Sequence, residues 1–243
     1  MKRAYFAKGE VALTHCGALS TLVVAAVCFA SCNRQPDMSP QLGRQSATPP
    51  KRYVAPLFDP KLAPILLDEP KRNKWQKPEQ IVRTLLLRKG QVVADVGAGS
   101  GYLLPYLSRA VGKSGVVYAQ EVQPDFLPEL RRRARALGNV RVVLGQEDDT
   151  KLPPRAINCF VLLTVYHEVQ QPIRFLKTLH QHAQPGARLV IIDFDAQRRG
   201  SPRAPIGHEV AEEFVVQEAR AAGWNLQARH DFISSQFFLV FTQ

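Results

Sequence analysis

The sequence predicts an α/β fold built on a doubly wound, mostly parallel sheet of seven strands. From residue 78 onward, short valine-rich runs alternate with segments of helical period, and a glycine-rich turn directly follows the first run. Strands that alternate with helices are joined by right-handed crossovers, which place helices on both faces of a parallel sheet. The last two runs lie close together and predict a hairpin, so the last strand is expected to be antiparallel.

Each element has a local signal, taken here in chain order. Pro78 suits the first turn of a helix, and the valine-rich run after it suits a buried parallel strand. Gly138 is the expected stop of a later helix, and the "QPG" at 184–186 is the expected stop of the next. The predicted helices cover residues 78–87, 103–111, 125–138, 172–183 and 208–223; the predicted strands cover 91–96, 115–122, 140–145, 157–165, 187–194, 224–232 and 235–241.

Length and composition are those of a globular protein with one sizeable domain. The chain has 243 residues, of which 45% are hydrophobic and 22% charged, and its formal net charge is +11. A basic surface favours anionic partners, but no aromatic and basic residues interleave in a motif that reads RNA or DNA. We therefore expect no specific nucleic-acid partner.

The four cysteines indicate no metal site. Cys16, Cys28 and Cys32 lie near the N-terminus, and no Cys/Cys or Cys/His pair has the spacing of metal ligands. Cys159 lies in an apolar run and is expected to be a buried structural thiol. The prediction for metals is therefore none.

The N-terminus has the features of an export signal. Lys2, Arg3 and Lys8 precede an uncharged, mostly apolar stretch at 18–30 that is short for a transmembrane helix. The "FASC" that ends at Cys32 resembles the bacterial lipobox, although a leucine-like residue is usual where phenylalanine stands. An ordinary cleaved signal and an uncleaved anchor are the alternatives.

The expected domain order follows from that signal. Residues 1–31 would be a lipoprotein signal peptide, and Cys32 would carry the lipid. Residues 32–70 are rich in Pro, Gln and Ser and would form a disordered tether, and 71–243 would be the folded domain. The expected location is the membrane surface, facing the periplasm or the cell exterior.

The glycine-rich turn is a D-x-G-x-G-x-G motif formed by Asp95, Gly97, Gly99 and Gly101. Glycine tolerates unusual backbone angles and allows a ligand to contact the main chain. Dinucleotide-binding proteins use G-x-G-x-x-G, and Tyr102 stands where their last glycine would be. This spacing argues against an NAD oxidoreductase; a turn without a ligand is the simpler alternative.

The motif and its surroundings resemble the class I S-adenosylmethionine (SAM)-dependent methyltransferases, whose fold is Rossmann-like. "VVADVGAGSGYL" resembles their first motif, "VVYAQEVQPDFL" their second, and "QPGARLVIIDF" their fifth strand. "WQKP", "GQEDD", "VYHE" and "FFLVF" are similar to a bacterial subgroup of methyltransferases, some of which carry export signals. The resemblance runs from residue 75 to the C-terminus and implies SAM as the cofactor.

The resemblance also implies roles for the residues of the glycine turn. Gly97, Gly99 and Gly101 would let the backbone approach the methionine and ribose parts of SAM. Asp95 would orient the turn and the ammonium group of the ligand. Glu121, the acid at the end of the second strand, would accept hydrogen bonds from both ribose hydroxyls.

The acid after the third strand is less clear in this sequence. In the family it usually contacts the adenine amino group, but Gln146 stands where an aspartate is common. Glu147 and Asp148 remain as candidates, and a solvated loop charge is the alternative for each.

Residues after the fourth and fifth strands are candidates for contact with the methyl acceptor. His167 is a candidate general base because the ordinary histidine pKa lies near neutrality, and Tyr166 is the second catalytic candidate. Glu168, Asp193 and His208 are candidate substrate contacts. Packing for Tyr166, a structural hydrogen bond for His167 and helix capping for His208 are the alternatives.

The expected function is methyl transfer from SAM to a small or lipid-like molecule. SAM already carries an activated methyl group, so the enzyme mainly holds donor and acceptor in line. Two alternatives remain open at this point: a non-catalytic, exported protein that binds SAM or a nucleoside, and an aminopropyl-type transferase on the same fold.

Overall fold

The fold is described from a computed structural model, which covers residues 53–198, 204 and 207–243. It confirms a seven-stranded sheet, with strand order β3-β2-β1-β4-β5-β7-β6. All neighbouring strands are parallel except β7, which runs antiparallel to both β5 and β6. The strands are β1 (Val92–Val96), β2 (Val116–Glu121), β3 (Val140–Leu144), β4 (Ile157–Leu163), β5 (Ala183–Phe194), β6 (Asn225–His230) and β7 (Gln236–Thr242).

Helices cover both faces of the sheet, and short 3-10 turns occur at Pro60–Leu62, Pro124–Phe126 and Tyr166–Glu168. As the sequence predicts, Pro78 opens one helix and Gly138 closes another, with φ +79° at Gly138. The helices are α1 (Ala63–Leu66), α2 (Arg72–Gln76), α3 (Pro78–Thr84), α4 (Leu104–Val111), α5 (Leu127–Leu137), α6 (Pro172–His182) and α7 (Glu212–Ala221).

The sheet separates two apolar layers. Along β4, Cys159 and Val161 face the layer that contains α3, α4 and α5, whereas Phe160 and Leu162 face the layer that contains α6 and α7. Both sets are completely buried, which explains why the strand is apolar from Cys159 to Leu163 and does not alternate there.

Among the element boundaries that differ from the sequence prediction, two differ most. Helix α6 ends at His182 and β5 begins at the next residue, so the "QPG" lies in the irregular first part of β5, beside a shift in the β4–β5 register. Helix α7 begins at Glu212, because Val210 forms a bridge with Asp195 instead of a helical turn.

The strand order places a ligand site between β1 and β4. The chain runs from β1 outward to β2 and β3, then returns to the other side of β1 as β4. Connections leave β1 and β4 in opposite directions, and the carboxyl ends of such strands open a crevice. The glycine turn follows β1 directly and therefore lies at this crevice.

Residues 53–76, which we call the strap, cross over the same end of the sheet. The Ala55 amide donates to the His167 carbonyl over 3.0 Å, and the Gln123 amide group donates to the Phe58 carbonyl over 3.1 Å. The sequence prediction of a disordered tether is therefore wrong for residues 53–70, because this backbone is hydrogen-bonded to the domain and Phe58, Ala63 and Leu67 pack against its core.

The predicted signal peptide, Cys32 and the tether before residue 53 lie outside the described residues. Within the part of the chain that the structure describes, no helix is both long enough and apolar enough to cross a membrane.

Candidate functional site

A cavity of about 320 Å³ lies at the crevice between β1 and β4, beneath the strap. Its walls come from the ends of β1, β2 and β4, from the segment around His208, and from the strap. Among the residues that line it are Leu57, Phe58, Leu67, Arg72, Trp75, Asp95, Gly97, Gly99, Glu121, Glu147, Val165, His167, Glu168, Phe175, Phe194 and His208.

The three predicted glycines have different roles. Gly97 (φ +70°) and Gly99 (φ +54°) line the cavity, and a Cβ on Gly97 would lie 2.6 Å from a methyl of Val165. The cavity lining does not include Gly101, whose Cβ would lie 2.7 Å from Leu104 in the core. The prediction of ligand contact is therefore wrong for Gly101: its φ of +87° and close packing require glycine for the turn itself.

Glu121 is held in place by backbone amides at the end of β2. Its Oε1 accepts from the amides of Val122 (2.8 Å) and Gln123 (3.0 Å), and its Oε2 accepts from Gly99 (2.7 Å). Burial raises the pKa of this carboxyl, and the three amides oppose the rise. A buried carboxylate held this rigidly is suited to accepting bonds from two adjacent hydroxyls.

Asp95 is a buried acid at the end of β1. Burial and then the nearby Glu121 raise its pKa, Arg72 acts in the opposite direction, and the net result is a pKa of about 7. Asp95 and Glu121 place two neighbouring carboxylates beside one cation, Arg72, so a cationic ligand group would be attracted to them.

The two acids proposed after β3 point in different directions. Glu147 lines the cavity. Asp148 is exposed and forms an ion pair with Arg174 over 3.0 Å, away from the cavity lining. Glu147 is therefore the acid positioned for a ligand, and the prediction for Asp148 is wrong because a surface cation holds it.

Arg72 is a site residue that the sequence analysis missed. Its guanidinium stacks over the Tyr102 ring at 4.0 Å and donates to the Leu67 carbonyl over 2.9 Å. Its buried Nε has no hydrogen-bond partner among the described residues, and burial lowers its pKa to about 10. A buried cation with a spare donor in a cavity is suited to binding a carboxylate. The only signal in the sequence was its nearness to "WQKP".

His167 and Asp193 form a buried pair at the other end of the cavity. His167 Nδ1 lies 2.8 Å from Asp193 Oδ1, and the His167 amide donates to Asp193 Oδ2 over 3.1 Å. Asp193 is completely buried and is absent from the cavity lining, so it orients the imidazole instead of contacting substrate, contrary to the prediction. The other ring nitrogen of His167, Nε2, faces His208 and Glu168.

The groups around His167 shift its pKa away from the near-neutral value that the sequence analysis assumed. Burial would lower its pKa, but Asp193 and then Glu168 outweigh burial and raise it to about 10. The neutral-range pKa on which the prediction of a general base rested does not hold for this pair. The pKa of His208 is lowered by burial and by His167.

Three side chains with metal-ligating atoms meet beside this pair. His167 Nε2 lies 3.2 Å from His208 Nδ1 and 3.6 Å from Glu168 Oε1, and the ligand atoms of the three all lie within 4.8 Å of one another. All three line the cavity, so the structure places Glu168 and His208 beside His167.

Tyr166 points away from the cavity. It is fully buried in the layer of α6 and α7, and its hydroxyl donates to Glu218 Oε2 on α7 over 2.7 Å. The prediction that Tyr166 is catalytic is wrong, because the 3-10 turn at Tyr166–Glu168 sends its first side chain into the core.

The polar groups of the cavity match the groups of SAM. Asp95 offers an anion for the ammonium, Arg72 offers a buried cation with a spare donor for the carboxylate, and Glu121 offers a rigid carboxylate for the ribose hydroxyls. The glycine backbone at Gly97 and Gly99 leaves room beside them.

Comparisons with known proteins show the family to which the chain belongs. A family model described as "Methyltransferase domain" matches residues 70–239. The crystal structure of a SAM-dependent methyltransferase from Aquifex aeolicus is 31% identical, covers 76% of this chain and 99% of that chain, and superposes with a TM-score of 0.72.

Two further matches are more distant. The ubiquinone/menaquinone biosynthesis C-methyltransferase UbiE of Citrobacter koseri is 27% identical over 111 residues, which span 44% of this chain and 44% of that protein. A TehB-like SAM-dependent methyltransferase from Corynebacterium glutamicum is 16% identical, covers 76% of this chain and 100% of that chain, and shares the fold with a TM-score of 0.58. The chain belongs to the class I SAM-dependent methyltransferases.

Proposed function

We propose that this methyltransferase acts on a small molecule whose nucleophilic atom binds beside His167, Glu168 and His208. One observation carries the proposal: these three side chains and the glycine turn with Glu121 line the same cavity. A cofactor held at one end of the cavity therefore faces polar side chains at the other.

The chain's own residues divide the work at the cofactor end. Asp95 and Arg72 would hold the two charged groups of the methionine part, and Glu121 would hold the ribose. When bound, SAM supplies a methyl group already activated by its sulfonium. The protein then needs to position the acceptor and exclude water.

The acceptor end combines apolar walls with one polar patch. The rings of Trp75 and Phe194 lie 6.1 Å apart, and Phe175 lines the same cavity. Apolar walls with a few convergent polar groups favour a small, partly apolar molecule with a hydroxyl, thiol or acidic carbon. The strap covers this space, which favours a molecule that enters the cavity over a large polymer.

The test is transfer of a labelled methyl group from SAM by the full chain, with a panel of phenols, thiols and carbon acids as acceptors. We expect labelled product together with an equal amount of S-adenosylhomocysteine. Glu121→Gln should abolish transfer by weakening SAM binding, whereas Asp148→Asn, a matched change outside the cavity, should not. Tight SAM binding without transfer to any acceptor class would contradict the proposed substrate.

We also propose that the chain is exported and lipidated at Cys32. The basic start, the short apolar stretch and the small residues before Cys32 support this proposal. In a bacterial host that receives labelled palmitate, the full chain should incorporate label and partition with membranes, and Cys32→Ala should do neither. Equal labelling of both proteins would contradict it.

A further inference from the structure

We propose that His167, Glu168 and His208 bind a divalent first-row transition metal ion at the acceptor end of the cavity. Two imidazoles and a carboxylate form a donor set typical of Zn²⁺ and of related ions such as Co²⁺ and Fe²⁺. Sequence analysis does not predict this site, because His208 is distant in the chain and the ligand spacing matches no metal motif.

The distances fit a single ion. Ligand atoms that lie about 2.0–2.2 Å from one ion are separated from each other by about 3.0–3.6 Å in tetrahedral or octahedral geometry. His167 Nε2 lies 3.2 Å from His208 Nδ1 and 3.6 Å from Glu168 Oε1, and the third separation also falls within 4.8 Å. Small rotations of the His208 and Glu168 side chains would complete the coordination.

The second nitrogen of His167 is held as metal-binding histidines require. A ligating histidine usually donates its other ring N–H to a carboxylate, which fixes the ring and directs its lone pair at the ion. Asp193 is completely buried, lies 2.8 Å from His167 Nδ1, and also accepts from the His167 and Phe194 amides. The imidazole therefore has one orientation, with Nε2 towards the other two ligands.

Three protein ligands leave a coordination position for another molecule, as in catalytic zinc sites. Because the three ligands line the cavity, that position faces the acceptor space. We infer that it takes an oxygen or sulfur donor of the acceptor, which makes an alcohol, a phenol or a thiol the substrate class. This last step rests on the proposed function, whereas the metal site itself does not.

The test measures metal binding directly. Untagged full chain is treated with EDTA and then titrated with Zn²⁺ by calorimetry and with Co²⁺ by visible absorption. We compare wild type with His208→Ala and Glu168→Gln, and use His180→Gln on α6 as the matched control, because His180 lies outside the cavity lining.

The expected result is a Zn²⁺ site that each ligand variant weakens at least about tenfold, while the control binds as wild type does. The Co²⁺ bands should also lose intensity in the two ligand variants. Equal affinity in all four proteins would overturn the proposal and point to other donors, such as the cysteines before residue 53. Absence of binding would overturn it too, and would mean that a shared proton holds the three side chains together.

Titration of the same proteins with S-adenosylhomocysteine separates this inference from the proposed function. The ligand variants should bind S-adenosylhomocysteine as wild type does, which also shows that they are folded. Cofactor binding without metal binding would overturn the metal site alone, and metal binding without cofactor binding would overturn the proposed function alone.

Discussion

The two ends of the cavity are built in different ways. The cofactor end comes from the turns that follow β1 and β2 together with Arg72 of the strap, and backbone amides of those turns hold the Glu121 carboxylate. The acceptor end is assembled from segments that are distant in sequence: the turn after β4, Asp193 in β5, the His208 segment and the strap. Apart from Arg72, the cofactor end is therefore local in sequence, whereas the acceptor end depends on tertiary packing.

This difference predicts that the two functions can be separated by mutation. Changes at the cofactor end should remove SAM binding, whereas changes at the acceptor end should remove transfer and leave SAM bound. The predictions below test this separation, beginning with the largest expected effect.

Gly99→Val should lower SAM affinity by about a hundredfold, which corresponds to about 2.7 kcal/mol. The branched side chain must adopt φ +54° and would project beside Leu67 into the cavity. Gly138→Val is the matched control, because it has φ +79° but no described atom within 4 Å of its Cβ. Calorimetry should show loss of binding in the first variant and normal binding in the second. Equal losses would mean that backbone strain, and not the cavity, sets affinity.

Asp193→Asn should lower the rate of methyl transfer by about a hundredfold, because the imidazole of His167 would lose its fixed orientation. SAM affinity should stay within about twofold of wild type. The imidazole N–H resonance of His167 in the NMR spectrum shows whether its hydrogen bond to residue 193 changes, and a loss of rate at unchanged SAM affinity and melting temperature separates positioning from a structural role. A loss of SAM binding of similar size would contradict the claim that changes at the acceptor end leave SAM bound.

Arg72→Leu should lower SAM affinity by about tenfold to a hundredfold, since a charge-assisted hydrogen bond contributes about 1.5–3 kcal/mol. Arg72→Lys should recover part of the affinity, because it keeps the charge but loses the stacking on Tyr102. Calorimetric titration of both variants measures the effect. Wild-type affinity in Arg72→Leu would exclude the guanidinium from the cofactor site.

SAM affinity should rise as the pH increases from about 6 to about 8, because Asp95 has a pKa of about 7 and attracts the ammonium group only when ionised. The free protein should respond in the opposite sense. The pKa of Asp95 is raised from 3.8, so its contribution to stability is complete below about pH 4 and is lost as the pH rises through about 7. Titrations and melting curves at several pH values measure both trends, and Asp95→Asn should flatten both.

Tyr166→Phe should have the smallest effect. Loss of the hydrogen bond to Glu218 should cost about 1 kcal/mol and lower the melting temperature by about 2–4 °C. Methyl transfer should be unchanged, because the side chain lies in the core. A large loss of methyl transfer without a loss of stability would instead support a catalytic role for Tyr166.

The fold and the cofactor end could be predicted because their signals are local. Alternation of valine-rich runs with helical segments determines the sheet, and Asp95, Gly99 and Glu121 each stand at a fixed distance from a strand end. The predicted element boundaries are wrong where pairing with a distant segment determines the local structure. At Val210, for example, a bridge to Asp195 replaces the predicted first turn of α7.

The acceptor end could be predicted only in part. The end of β4 identified His167 and Glu168, but the side chain next to them, Tyr166, faces the opposite layer. From the sequence alone, Asp193 could be either a buried hydrogen-bond partner or a contact of the substrate. The choice depends on which side of the sheet its side chain faces at the end of β5, and the sequence does not determine that direction. At the cofactor end, sequence analysis did not identify Arg72, because the helices of the strap are too short to show a helical period of apolar residues.

The strap contains the boundary between the residues that match the family model and the residues that precede this match. The family match begins at residue 70, whereas Leu57, Phe58 and Leu67 of the cavity wall precede it. A shortened protein that starts at Pro78 would retain the whole sheet and the glycine turn but would lose Arg72, Trp75 and that wall. Because that wall precedes the family match, a comparison of relatives for substrate specificity should begin at residue 53.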